Sequence, residues 1–305
     1  MESLVVPESL GGERIDRALA LLFDISRTDA LGMIASGKVY VQGKNSIAKS
    51  LRLAKGDLIE VNDPWVTPRF ELEPRPDLEV DIVYFDSDVA VVNKTASQVV
   101  HPGSGHERDT LIAALLAKFP KLVEIDCDPL RPGVVHRLDK GTSGVMVFAL
   151  NQRSFDTLSQ DVRSHSFLRR YIALTEGHLE SRLGLIDAPI GRSTRNAKKM
   201  EVSSSGKEAR TRFEVIESFD HPRPATLISV TLETGRTHQI RVHLAGLGHS
   251  VVGDEVYGKG DETLKRPFLH SETLAFQHPI TQELMTFSAP LPSDLRDRLA
   301  SFKGV

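Results

Sequence analysis

Three observations predict an α+β protein in two parts. Helix-like and strand-like stretches are mixed without the regular alternation that a doubly wound sheet needs. Four prolines, Pro64, Pro68, Pro74 and Pro76, punctuate an acidic and polar stretch that reads as a semi-extended linker. The chain has 305 residues, 40% of them hydrophobic, enough for one large domain and a small one. The expected division is a small unit at 1–63, a linker at 64–78 and a large domain at 79–305.

In the small unit, Ile15, Ala18, Leu19 and Leu22 recur at helical spacing. A second helix is expected from Arg27 to Ser36, with Ser26 as its N-cap and Gly37 as its stop. KVYVQGK then alternates and turns at Gly43, and LRLAKGDLIEV turns at Gly56 before a short strand. Past the linker, VDIVYFDSDVAVVNK reads as two strands around a polar turn, and helix signals run from Thr110 to Lys118. GVVHRLD and GVMVFAL read as strands separated by a loop at Asp139. Phe155, Leu158 and Val162 share one face of a helix from Arg153 to Val162. LRRYIALTEG, ARTRFEVIES and TLISVTLETG are strand-like, and a short helix and a C-terminal helix near Asp294 to Phe302 follow.

Cys127 is the single cysteine, which excludes an internal disulfide and a cysteine-based zinc site and fits a reducing compartment. MESLVVPESLGGERID carries no basic leader or sustained apolar core, and no stretch reaches the roughly 20 apolar residues needed to span a bilayer. The expected location is the cytoplasm. The formal net charge of -3 does not advertise nucleic-acid binding, but its distribution is uneven. Lys38, Lys44, Lys49, Arg52 and Lys55 occur with no acidic residue among them. Arg192, Arg195, Lys198, Lys199, Lys207, Arg210 and Arg212 stand against Glu201 and Glu208. Each patch could hold phosphates or could be a solvated face.

Residues 136 to 144, HRLDKGTSG, place Asp139 between Arg137 and Lys140 and beside Gly141 and Gly144. A carboxylate at a strand end, next to glycines that let a substrate approach the backbone, suits an open active site. A surface ion pair is the competing reading. Residues 235 to 249, GRTHQIRVHLAGLGH, hold three histidines, but His238 and His243 lie about 140° apart on a helix and cannot easily share an ion. No metal site is therefore expected. Thr237 can cap that helix and Gly248 can end it, while Arg241, off its apolar stripe, can meet a carboxylate. Ser143, His136 and Asp139 could suggest a hydrolase, yet the G-x-S-x-G elbow is absent.

Taken together, VVNK with HPGSG at 91 to 105, HRLDKGTSG at 136 to 144, RRYIAL at 169 to 174, TGRTHQIRVHLAGLGH at 234 to 249, VVGDEVYG at 251 to 258 and LHSETLAFQHP at 269 to 279 resemble the RluA family of RNA pseudouridine synthases. The small unit is similar to the alpha-L RNA-binding module that many of these enzymes carry. One departure is NKTAS at 93 to 97, where the family usually has a proline and then a glycine. The resemblance implies a mixed, largely antiparallel catalytic sheet and an enzyme that detaches, rotates and rejoins a uridine base. It implies that Asp139 is the catalytic aspartate, that Arg241 keeps it charged and that Tyr171 stacks on the base. Arg137 would fill the gap left by the extruded uridine. His136, Arg236, His238, Ile240, Lys38, Lys44 and Lys199 are the further expected RNA contacts. No cofactor is expected, because isomerisation changes neither redox state nor composition. RNA is the expected partner, large-subunit ribosomal RNA first and transfer RNA second, and monomer is the default state. A non-catalytic RNA-binding or ribosome-assembly factor is the alternative of a different class.

Overall fold

In the computed structural model, the helical spacing of Ile15, Ala18 and Leu19 buries all three completely. They anchor the first of two units, Met1–Phe70 and Glu71–Val305, into which the chain divides. The structure describes residues 2–23, 25, 27–45, 47, 48, 50–62, 72–103, 108–193, 196 and 199–304. Ser26, Lys49, Gly105, Arg195, Lys198 and linker residues 64–71 therefore lie outside it.

The first unit runs β1 (Glu2–Val5), α1 (Ile15–Leu22), α2 (Arg27–Ala35), β2 (Val39–Val41) and β3 (Leu58–Val61). Its strands form an antiparallel sheet in the order β1-β3-β2. Val39, Ile59 and Val61 point from that sheet onto Leu19 and Met33 of the helices. Gly37 ends α2 in the left-handed conformation, as expected. The N-terminal strand β1 was not expected, because its four residues become a strand only through pairing with β3 more than fifty positions away.

The larger unit begins with residues assigned to the linker. Leu72 packs against its core and the Arg75 amide donates to the Ala113 carbonyl (2.9 Å). Its elements are β4 (Ile82–Phe85), β5 (Val89–Lys94), α3 (Leu111–Lys118), β6 (Ser143–Ala149), α4 (Gln152–Arg163), β7 (Leu168–Glu176) and β8 (Leu183–Asp187). There follow β9 (Ile190–Arg192), β10 (Met200–Val202), β11 (Arg210–Phe219), β12 (Ala225–Leu232), α5 (Gln239–Gly246), β13 (Leu269–Gln277), β14 (Leu284–Ser288) and α6 (Ser293–Lys303). Among the described residues, nine strands form one sheet in the order β4-β5-β6-β13-β7-β12-β11-β8, with β14 paired to β13. Every pair is antiparallel except β6 with β13. The α+β class and the largely antiparallel sheet match the expectation.

Strand β6 is buried on both faces, which explains its unbroken apolar run. Met146 and Phe148 face the core that includes α3, while Val145 and Val147 join Leu158 of α4 and Phe276 of β13. Thr110 caps α3 by accepting from the Ala113 amide. Among the described residues no helix is long and apolar enough to cross a membrane.

GVVHRLD departs from expectation, since it forms only an isolated bridge, Val134 to Phe148. Strand β6 already has β5 on one side and β13 on the other, so no full edge is open to it. Instead of its backbone, the His136 side chain takes up the Val147 amide (3.1 Å). The segment runs on as a loop and delivers Asp139 to the end of β6, where the short parallel pairing sets Ser143 beside His270 and Gly144 beside Ser271. Gly144 sits at φ 115°, and a Cβ there would lie 2.1 Å from the Ser271 carbonyl oxygen. Only glycine allows this approach. Gly144→Ala should lower the melting temperature by at least about 4 °C, the equivalent of a couple of kcal/mol in a domain of this size. Thermal unfolding within about a degree of wild type would show that the two strands separate without cost.

Candidate active site

Asp139 lies where the loop before β6 meets α5. Its Oδ2 accepts from Arg241 Nη1 (3.3 Å), and its backbone carbonyl accepts from the Thr142 amide (3.0 Å). The Arg241 guanidinium is turned mainly toward Asp254, with Nε to Oδ2 at 2.6 Å and Nη2 to Oδ1 at 2.9 Å. Arg241 is 8% exposed and Asp254 fully buried, whereas Asp139 retains 18% exposure. Burial would discharge Arg241, but the hydrogen bonds and charge of Asp254 reverse this and raise its pKa above the ordinary value. Burial likewise opposes ionisation of Asp254, and Arg241 overcomes it, so that carboxyl titrates lower than usual.

The Asp254 Oδ1 also accepts from the Val256 and Tyr257 amides, which fixes the turn after it. The Tyr257 ring lies 5.1 Å from the Arg241 guanidinium. Its hydroxyl accepts from the Met200 amide and pairs with His238 Nδ1, both at 2.8 Å. His238 Nε2 stands 3.9 Å from Asp139 Oδ2. With the Tyr257 hydroxyl donating to Nδ1, the neutral imidazole presents its Nε2 proton toward Asp139. Burial holds the His238 pKa below the usual value despite the nearby carboxylate.

Asp139, Tyr171, Ile240, Arg137 and Arg236 together line a small pocket of about 50 Å³. Tyr171 comes from β7 and is 96% buried by the surrounding sheet, with its cross-strand partner Ser271 on β13. A tethered carboxylate and an exposed arginine from one loop, an aromatic ring from β7 and a buried arginine from α5 thus converge from three separate segments.

A sequence profile described as RNA pseudouridylate synthase matches residues 88–246. A ribosomal large subunit pseudouridine synthase D of Xanthomonas campestris is 38% identical over 319 residues, covering 99% of this chain and 93% of that protein. The chain belongs to the RNA pseudouridylate synthase family. A further relative, an uncharacterized RNA pseudouridine synthase of Chloroflexus aurantiacus, is 42% identical over 96% of this chain and 91% of its own. The solved structure of human RNA pseudouridylate synthase domain containing 1 superposes with a TM-score of 0.56 at 29% identity, covering 72% of this chain and 86% of that one. The protein is an RNA pseudouridine synthase, an isomerase.

Within this synthase the other expected contacts are distributed unevenly. His136 is half-buried, and its Nε2 accepts from the Val147 amide. Lys199 donates to the Val256 carbonyl and stands 5.8 Å from the Tyr257 ring centre, so it braces the turn beside the pocket. Arg210 pairs with Asp187 and Glu208, and Arg212 with Glu233, which takes part of the second basic run into surface ion pairs. Lys38 and Lys44 belong to the first unit. The three histidines of 235–249 turn to different partners: His238 to Tyr257, His243 to Thr211 and the Ala188 carbonyl, and His249 to the Glu176 carbonyl. The hydrolase set does not assemble either, since Ser143 pairs with His270 Nδ1 (2.9 Å) rather than with His136.

Thr237 is not the cap of α5. His238 takes the N-cap position in a left-handed conformation without a side-chain bond. The Gln239 amide ties the turn instead, accepting from the Arg236 amide and Thr234 hydroxyl and donating to the Arg210 carbonyl and Thr211 hydroxyl. Asp254, Tyr257 and Lys94 also escaped residue-by-residue reading, although the first two stand in VVGDEVYG and the third in VVNK. Lys94 is 99% buried and donates to the carbonyls of Thr95, Gln98 and Lys140, pinning the departing NKTAS stretch to the residue after Asp139. Burial lowers its pKa to about 7 against the attraction of Asp139.

Asp254→Asn should cost about a hundredfold in the single-turnover rate, because Arg241 then swings away from Asp139, while RNA affinity changes only severalfold. A rate within threefold of wild type would show that Arg241 is held by something else. Acid stability offers a second check. Burial depresses the His136 pKa from 6.5 to about 3 in the folded protein. The unfolded chain therefore binds this proton first, and the stabilisation is full above about 6.5 and lost as pH falls toward 3. In urea titrations the wild type should lose stability between neutral pH and about pH 4 faster than His136→Gln, whose amide oxygen can still accept from Val147. Equal slopes would assign the acid sensitivity to other groups.

Proposed function

We propose that this synthase isomerises uridine in large-subunit ribosomal RNA, with Asp139 as the catalytic carboxylate. The observation that carries the reading is the unequal grip of Arg241. It holds Asp254 through two short bonds and Asp139 through one longer bond. A carboxylate must be ionised to add to the ribose C1′ or to take the C2′ proton, and desolvation alone would protonate it. Arg241, braced by Asp254, supplies the opposing charge and still leaves one Asp139 oxygen for the substrate.

The overall change breaks the bond from C1′ to N1 of uracil and forms one from C1′ to C5. N1 gains a proton and C5 loses one, so the product is an isomer and no redox cofactor is consumed. Tyr171 and Ile240 supply the apolar walls for the detached base, which must turn without escaping. The pocket over Asp139 has room for only one or two waters as it stands. The exposed Arg137 side chain at its mouth is the part free to move aside and to fill the stack that the uridine leaves. Large-subunit RNA is favoured by the name of the Xanthomonas relative, which matches along nearly this whole chain.

Pseudouridine mapping of ribosomal and transfer RNA from a strain lacking the protein should reveal lost sites in the large-subunit RNA, restored by wild type and not by Asp139→Asn. In vitro that variant should be slower by at least about a thousandfold. Restoration of the modification by Asp139→Asn would remove the aspartate from the chemistry. Losses confined to transfer RNA would redirect the substrate.

A further inference from the structure

A second cavity of about 570 Å³ adjoins the pocket over Asp139 and shares Arg137, Asp139, Tyr171, Leu232 and Arg236 with it. At its wall lies Arg169, two residues before Tyr171 on β7, with only 4% of its surface exposed. Arg169 Nη2 donates to the Glu233 carbonyl (3.1 Å), but its buried Nε has no hydrogen-bond partner and no carboxylate among the described residues pairs with it. A buried cation without an anion is costly, and a ligand that brings negative charge would relieve that cost. Burial, reinforced by the neighbouring Arg236, already pulls its pKa below the ordinary arginine value.

The surroundings are built around this group. Gly235 has no side chain where a Cβ would meet Arg169 Nη1 at 2.7 Å, so the glycine makes space for the guanidinium. A second buried atom without a partner, His101 Nδ1, belongs to a residue lining the same cavity. The two carboxylates on the lining are already engaged, Asp128 with Arg131 and Asp139 with Arg241. The lining also includes the apolar, half-buried Phe155 and Val162 and the exposed Arg163. An uncompensated cation in a cavity that also holds apolar and aromatic side chains matches a phosphodiester joined to an unstacked base, and the volume falls in the range of small-ligand pockets.

We propose that this cavity receives the nucleotide adjoining the target uridine, with its phosphate on Arg169 and its base against Phe155 and Val162. The inference rests on uridine occupying the pocket over Asp139, since the shared lining makes the two compartments neighbours. The synthase then reads a splayed dinucleotide unit rather than a lone base, and specificity for the flanking residue is set at Phe155, Val162 and Arg169.

The test compares binding of uridine 5′-monophosphate and of the dinucleotide pUpU to the full-length Asp139→Asn protein by calorimetry at low salt. The dinucleotide should bind at least about tenfold tighter, the gain expected from one stacked base and one phosphate contact. Arg169→Met, which keeps the bulk of the side chain without its charge, should bring the ratio below about threefold in the same background. Arg163→Glu, on the same lining, should lower it as well and carries the test alone if Arg169→Met does not fold. Equal affinities for the two probes, or a ratio that survives both substitutions, would overturn the proposal. Pseudouridine formation by the wild type on a large-subunit RNA transcript is measured alongside. Turnover with a flat binding ratio removes the second compartment only, whereas a high ratio without turnover supports it and removes the ribosomal substrate.

Discussion

The buried pair of Arg241 and Asp254 is the contact on which the rest of the site depends. Neither charge could be kept in this interior alone, and each shifts the other toward its ionised form. Because Asp254 also accepts two backbone amides, the pair is fixed to the chain rather than floating in the core. One arginine nitrogen is left to face Asp139, and the direction in which it points is set by a fully buried carboxylate. Tyr257 extends the same rigidity through His238 and Met200 to the far side of the pocket.

The second support is mechanical. The Asp139 loop is tethered at several points: to β6 through His136, to the Lys94 ammonium through Lys140, and to Arg266 through the Gly141 carbonyl. Ser143 adds a bond to His270, whose other ring nitrogen pairs with the Ala289 carbonyl. A loop with this many anchors places a carboxylate with the accuracy usually found on strands and helices. Within this loop the Arg137 and Lys140 side chains stay exposed and Asp139 partly so, while Leu138 is buried.

Much of this architecture was legible in the sequence because it is local. The apolar alternation of β7, β11 and β12 and the helical faces of α3 and α4 depend on neighbours within one turn or one pleat. GVVHRLD differs from the expected strand because, although its apolar residues fit one, it makes only the Val134 bridge to β6 before the His136 side chain takes the Val147 amide in place of its backbone. At α5, Thr237 is the better cap by residue type, yet the Gln239 side chain reaches four partners that only the folded chain brings near. The pairing of Asp139 with Arg241 was anticipated from motif resemblance; Asp254 was not, since a carboxylate thirteen residues after an arginine carries no local signal. Arg169 is similar. In RRYIAL it looks like one more basic residue on a strand, and its isolation becomes visible only when its surroundings are in place.

The two-residue parallel contact between β6 and β13 also sets a timetable. Ser143 and His270 are 127 positions apart, so the loop carrying Asp139 leaves the ribosome long before the strand that clamps it. At about 5–20 residues per second, the interval is roughly 6–25 s. Asp254 and Tyr257 emerge only shortly before that strand. The nascent chain thus carries its whole first unit well before Asp139, Arg241 and Asp254 can come together.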